Sequence, residues 1–377
     1  MDIPRIDSDG YAIPQNPLPS SGQQRGRASS RGRSSAARGA GRSNSRQPSS
    51  PRCQVDTTIY RLTLQMEGIE LLPRTVTKPD AVSSLVRKIE QDRSSPGPTE
   101  DEVLHDLELE ALEGGMAGVP ESQVQQYFQQ KIFLPRNTGG PPNHSVQLPI
   151  LSHAIPRNPE TVGASGPKSI VGPVPDLMYG YNLVTFTRQQ QNYLAQQGYG
   201  LQATTYQLYM PFLIVEFKSE GGKLRAATNQ CLGGSACCAN ITERINRLVQ
   251  AASPSSPSTG PPKVDSPVFS IAMDNNIARL FVSWQTEDGF GYNTVRVKDF
   301  SVQRPEIYIL FRRYVHNILD WGYGERFDQV RAALDFLIAD SRREAAAPSK
   351  VRGPPTPPAR PESMASGSPS GSKRQRR

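Results

Sequence analysis

Between Leu208 and Lys218 the chain reads Leu-Tyr-Met-Pro-Phe-Leu-Ile-Val-Glu-Phe-Lys, and both alternating sets, Phe212/Ile214 and Leu213/Val215, are apolar. A strand apolar on both faces is covered on both faces, so this run predicts the central strand of a layered sheet. Val82, Leu85, Val86 and Ile89 recur at helical spacing behind Asp80 and predict a helix over 80–92. Thr99 followed by Glu102 is a capping-box pattern that opens an acidic helix over 99–113. Further helices are predicted over 121–134, over 187–197 up to Gly198, and over 224–249. Pro305 opens another that Gly322 and Gly324 close, and a last one over 326–340 carries Phe327, Val330, Leu334, Leu337 and Ile338 as its buried stripe. Strands are predicted at 176–184 and 292–302, with 268–273 and 278–286 forming a hairpin around Asp274-Asn275-Asn276. Residues 55–72 show no clean period, 135–172 read as a surface loop rich in Pro, Gly and Asn, and 253–262 as a Ser/Pro linker.

Composition divides the chain. Residues 15–52 and 341–377 hold almost no large apolar side chain, so burial there cannot offset ordering entropy and both ends are predicted to be disordered. The expected organisation is an Arg/Ser/Gly/Pro-rich tail over 1–52, a helical and irregular extension over 53–172, a core over 173–340 and a basic tail over 341–377. The net charge of +8 separates into +6 over 1–52, −5 over 53–340 and +7 over 341–377. Basic character therefore lies in the tails, which suit polyanions without base specificity, and the folded part is mildly acidic.

Four cysteines, Cys53, Cys231, Cys237 and Cys238, point to a reducing compartment. No CxxC pair exists and the histidines lie elsewhere, which argues against zinc. Cys231 and Cys238 share a helix face as small hydrophobes. The N-terminus has no apolar signal-like stretch, and the run Met210–Val215 is too short to span a bilayer, so an intracellular protein without membrane segments is expected. The cluster Lys373-Arg374-Gln375-Arg376-Arg377 reads as a nuclear import signal.

The end of the central strand carries the candidate chemistry. After its apolar run it delivers Glu216 and Lys218, which alternation turns to one face, and the glycine-rich turn Ser219-Glu220-Gly221-Gly222 follows at once. Pro175-Asp176 stands just before another short strand. Two carboxylates suit a hard divalent cation, and a lysine beside them can orient a water and stabilise negative charge. Ser-His-Asp, P-loop and GxGxxG arrangements are lacking from the sequence.

Pro175-Asp176…Glu216-Phe217-Lys218 resembles the PD-(D/E)XK, or restriction-endonuclease-like, superfamily. The segments PDLMYGY at 175–181, PFLIVEFKSEGG at 211–222 and ATNQCLGGSACCAN at 227–240 are similar to a family of uncharacterised fungal proteins given that nuclease-like assignment. The resemblance implies an α/β fold with a restriction-endonuclease-like core, a small mixed sheet flanked by helices. It implies Asp176 and Glu216 as ligands of Mg²⁺ or Mn²⁺, Lys218 as the group that positions water, and Gln230 as a polar contact on the following helix. It also implies a further acidic residue on an earlier helix, either Glu121 or Glu110. The expected activity is metal-dependent hydrolysis of nucleic acid, DNA rather than RNA. The alternative is a catalytically silent module of the same fold that contacts nucleic acid or chromatin proteins through its tails. Gly233 and Gly234 inside the helix after the motif cost helix propensity, which close approach of helix and sheet would offset.

Overall fold

The structure, a computed structural model, describes residues 58–94, 97–104, 120–133, 144–156, 172–219, 222–252 and 261–346. The tail over 1–52, the tail beyond residue 346, the distal part of the acidic helix with Glu110, most of the linker and much of the 135–172 loop lie outside these residues. Among the described residues no helix is long and apolar enough to cross a membrane.

In chain order the elements are α1 (Thr58–Met66), β1 (Ile69–Leu72), α2 (Asp80–Ile89), α3 (Glu100–Leu104), α4 (Glu121–Lys131), β2 (His144–Val146) and β3 (Leu177–Asn182). There follow α5 (Arg188–Gln196), β4 (Leu208–Phe217), α6 (Leu224–Ala251), β5 (Val268–Met273), β6 (Ile277–Gln285), β7 (Tyr292–Ser301), α7 (Pro305–Tyr323) and α8 (Glu325–Ala346). The strands form one mixed seven-stranded sheet in the order β1-β7-β6-β5-β4-β3-β2. β4 is central in the expected sense: every one of its residues is buried. The β5–β6 turn is held by Asp274, whose Oδ1 accepts from the amides of Asn276 and Ile277, each at 2.8 Å.

Helices cover both faces of this mixed α/β sheet. α6 lies across β4, β5 and β6 with α1 behind it, while α7 packs on β7 and β4 and carries α2, α3 and α8. A Cβ at Gly234 would stand 2.7 Å from Ile214 Cδ1, so this glycine lets helix and sheet approach closely, whereas Gly233 faces Leu64 and Tyr60 of α1 at 3.6 Å. On the opposite face Phe217 meets Phe133, which in turn meets Phe311, with ring centroids 5.9 and 6.0 Å apart.

Two boundaries differ from the sequence reading. The segment 53–172 is not an extension beside the core, because it supplies both edge strands: β1 pairs parallel with β7 and β2 antiparallel with β3. Edge strands this short have no period of their own and exist only where a neighbour offers hydrogen bonds. The last helix also runs on to Ala346, past the expected end at 340, through the good helix formers of Arg342-Arg343-Glu344-Ala345.

Arg326 ties the layers together at one end of the sheet. It is fully buried, and its partners are neutral: Nε donates to the Asp265 carbonyl at 3.0 Å, and the Nη groups to Tyr181 Oη at 2.9 Å, the Met210 carbonyl at 3.0 Å and Thr242 Oγ1 at 2.8 Å. The rings of Tyr181, Phe212 and Trp321 lie 5.6, 5.7 and 5.8 Å from its guanidinium carbon. This one side chain thus joins β3, β4, α6 and α8.

Gly180 sits at a register shift between β3 and β4, where a Cβ would lie 2.7 Å from the Tyr209 carbonyl and 3.1 Å from Pro211 Cα. Backbone cannot step aside as a side-chain tip can. Gly180→Ala is expected to destabilise the fold by about 1–3 kcal/mol, the usual cost of overpacking. Urea unfolding of the variant checks this, and an unchanged midpoint would show that the bulge relaxes freely.

Candidate functional site

β3 and β4 run antiparallel with Leu177 opposite Val215, so carrying the register one residue back sets Asp176 opposite Glu216. Opposed residues of an antiparallel pair share a face. The pairing thus brings two carboxylates together across forty residues of chain. Asp176 is pinned there: its Oδ2 accepts from the Phe217 amide at 2.7 Å, and its carbonyl accepts from the Gln147 amide at 3.2 Å and Gln125 Nε2 at 3.4 Å.

Glu216 is fully buried, and neither of its carboxylate oxygens has a hydrogen-bond partner among the described residues. Burial first, and then the charge of Asp176, pushes its carboxyl well above the ordinary carboxylate range; Lys218 opposes the shift and Glu121 adds to it. A hydrogen bond between the two carboxyl groups requires a proton on one of them. In the absence of a proton or a cation the pair is a buried repulsion that the fold holds in place.

Lys218 sits just past the end of β4, where its amide still donates to the Met273 carbonyl at 2.8 Å. Its Nζ lies 3.3 Å from Glu121 Oε1 and also donates to the Phe217 carbonyl. Glu121 opens α4, so of the two upstream acids it is the one brought to this strand end; Glu110 lies outside the described residues. Asp176, Glu216, Lys218 and Glu121 therefore gather at one end of the sheet.

Gln230 does not join them. It lies half-buried on α6, off the sheet-facing stripe of Ala227, Cys231 and Gly234, and among the described residues no hydrogen bond links it to the carboxylates or the lysine. Its chain neighbour Cys231 lies on that stripe, against Ala272 of β5, near enough to Glu216 to feel its charge. Burial, and then the Glu216 charge, raises the Cys231 thiol well above its usual range, so it stays a protonated, inert wall of the site. Beyond it Asn229 Oδ1 accepts from Arg61 Nε at 2.7 Å, which joins α6 to α1.

Gln125, Gln147 and Cys231 were not among the residues expected from the sequence. The signal for Gln125 was a polar residue inside the apolar stripe of α4, beside Val124 and Phe128; all three are buried.

The donor set suits a hard divalent cation in part. A buried carboxylate with both oxygens unpartnered among the described residues, beside a second carboxylate, matches an ion that binds through one or two carboxylates and completes its shell with water and phosphate oxygens. Among the described residues no group of three or more His, Cys, Asp and Glu is arranged to hold a metal by itself.

Fold and site together define a mixed α/β domain with a buried carboxylate pair at one end of an open sheet. The chain belongs to the family described as a domain of unknown function, DUF7924, whose model matches residues 116–334 and so spans Glu121, Asp176, Glu216, Lys218 and Gln230. No curated protein and no solved structure matches the chain.

Proposed function

We propose that the chain is a metal-dependent nuclease with a restriction-endonuclease-like core, acting on the phosphodiesters of DNA. The observation that carries this reading is the buried Glu216 carboxylate, without a hydrogen-bond partner among the described residues and set against Asp176. An arrangement that costs stability and converges with a lysine at a strand end is what a site looks like rather than a core. Asp176 and Glu216 would hold Mg²⁺ or Mn²⁺, which when bound neutralises phosphate charge and lowers the pKa of water.

The chain's own groups do the rest. The Phe217 amide and the Gln125 and Gln147 contacts fix Asp176, so its carboxylate needs little reorganisation. The Glu121 carboxylate and the Phe217 carbonyl steady the Lys218 ammonium, which leaves its positive charge and a third donor for a water or a phosphate oxygen. A cation at the pair would favour the ionised form of Glu216, whose carboxyl is otherwise pushed up by burial and by Asp176. The basic tails would add sequence-independent attraction to the substrate, and Lys373–Arg377 would direct the protein to the nucleus.

The test is incubation of the full chain with plasmid and with single-stranded DNA in Mg²⁺, Mn²⁺ or EDTA. Cleavage that needs a divalent ion and disappears in EDTA is the expected result. Cleavage persisting in EDTA, or absent with both metals, sinks the reading and leaves the silent polyanion-binding module.

A further inference from the structure

The strand end that bears Glu216 continues across the sheet as a single row. Glu216 pairs with Ala272, Ala272 with Arg279 and Arg279 with Asp299, so these residues share the α6 face with Asp176. β7 has an irregularity here: Phe281 pairs with Arg296 but Leu280 with Lys298. The extra residue, Val297, restores Asp299 to the same face as Arg296 and sends Lys298 to the other, where its Nζ approaches Tyr314. Three guanidinium groups consequently surround one carboxylate: Arg296 at 3.3 Å, Arg74 at 3.8 Å and Arg279 at 4.0 Å from Asp299. All three stay between 34% and 46% exposed.

Arg74 follows β1 and donates to the Arg296 and Val297 carbonyls at 3.3 and 2.9 Å, which fixes it on the edge of the sheet. Past it opens a groove lined by Lys78, Ser83, Arg87 and Glu90. Along this path stand Arg279, Arg296, Arg74, Lys78 and Arg87 against Asp299 and Glu90. The residues 53–340 are −5 overall, so the excess of cations is concentrated against the average of the domain. One carboxylate cannot neutralise three exposed guanidiniums, and such a cluster is stabilised by an anion from outside.

We infer that Arg279, Arg296 and Arg74 form a phosphate track on which one strand of duplex DNA lies as it leaves the carboxylate pair, running on towards Lys78 and Arg87. The inference deepens the nuclease reading and rests on it for the identity of the polyanion. Two strand spacings separate Glu216 from Arg279, about 10 Å, which is roughly three base-pair rises along the duplex. The track would therefore grip phosphates a few nucleotides from the one at Asp176 and Glu216, positioning the strand without reading its bases.

The test measures binding of a fluorescent duplex to the full chain in EDTA, across a salt series, so that no cleavage intervenes. Arg279→Ala with Arg296→Ala is expected to weaken binding and to flatten the log–log salt slope by about 1.8, two contacts at about 0.9 each. Arg279→Lys with Arg296→Lys should keep most of the slope, which separates lost charge from lost fold. Asp299→Asn frees the arginines and should tighten binding. Wild-type affinity and slope in the double alanine variant, or no gain in Asp299→Asn, overturn the track. If those variants bind normally while wild-type cleavage in Mg²⁺ proceeds, the track alone falls. If they change binding as expected and no metal supports cleavage, the nuclease reading falls and the track stands as a polyanion site.

Discussion

Replacing Arg326 with methionine is expected to cost the fold on the order of 4 kcal/mol, which lowers the melting temperature of a domain this size by about 8–16 °C. Methionine fills much of the same space and removes a desolvated charge, so the loss comes from what the guanidinium leaves behind. The carbonyls of Met210 and Asp265 lose their donor in a buried site, whereas the Thr242 hydroxyl still donates to the Cys238 carbonyl at 3.4 Å. Each such orphan costs about 1–3 kcal/mol. Tyr181 is spared, because its hydroxyl still donates to the Gly322 carbonyl at 2.7 Å. Thermal unfolding followed by circular dichroism reads the effect. A melting temperature equal to that of the wild type would mean that the neighbours rearrange to satisfy one another.

Glu216→Gln is expected to act in the opposite direction. A carboxyl raised by burial and by Asp176 favours folding where it is protonated, and that contribution is lost as pH climbs from the ordinary glutamate value of about 4.3 towards the folded value. The wild type should therefore lose stability over that interval, and the variant should not, since the amide that replaces the carboxyl can donate to Asp176. Near pH 4 the two proteins should melt together, and at pH 8 the variant should melt higher, by about 2–4 °C for each kcal/mol of repulsion removed. Saturating Mg²⁺ should close the gap by raising the wild type alone. Equal melting temperatures at pH 8 without metal would remove the buried repulsion, and with it the main support for the site.

The parts of the fold that could be read from the chain are those with a period long enough to show. β4 was legible because four consecutive apolar residues precede Glu216, and α2 because Val82, Leu85, Val86 and Ile89 are its buried face. β1 and β2 were not, because strands of four and three residues carry no repeat and depend on the free edges of β7 and β3. Glu216 and Lys218 could be singled out because a charged pair at the end of an apolar strand breaks its pattern, and Asp176 because Pro175-Asp176 stands just before another short strand. Which upstream acid meets Lys218 depended on how α4 packs, and no local spacing distinguishes Glu121 from Glu110. Gln230 was chosen for its place in the first turns of α6, but the helix rotation puts Cys231 on the sheet-facing stripe instead. Arg326 was invisible for a different reason: its four partners come from four separate stretches of chain, and beside Phe327 it reads as a residue on a solvated flank.

The pairing of β1 with β7 also has a meaning in time. Ile69 meets Tyr292, so among the described residues the first strand of the sheet is made long before the strand it pairs with. At about 5–20 residues per second a ribosome needs about 11–45 s to cover that distance. Throughout that interval Ile69-Glu70-Leu71-Leu72 is an unpaired apolar strand on a nascent chain. The sheet cannot close at this edge until β7 has been made, and α7, which packs on β7 and β4, follows later still.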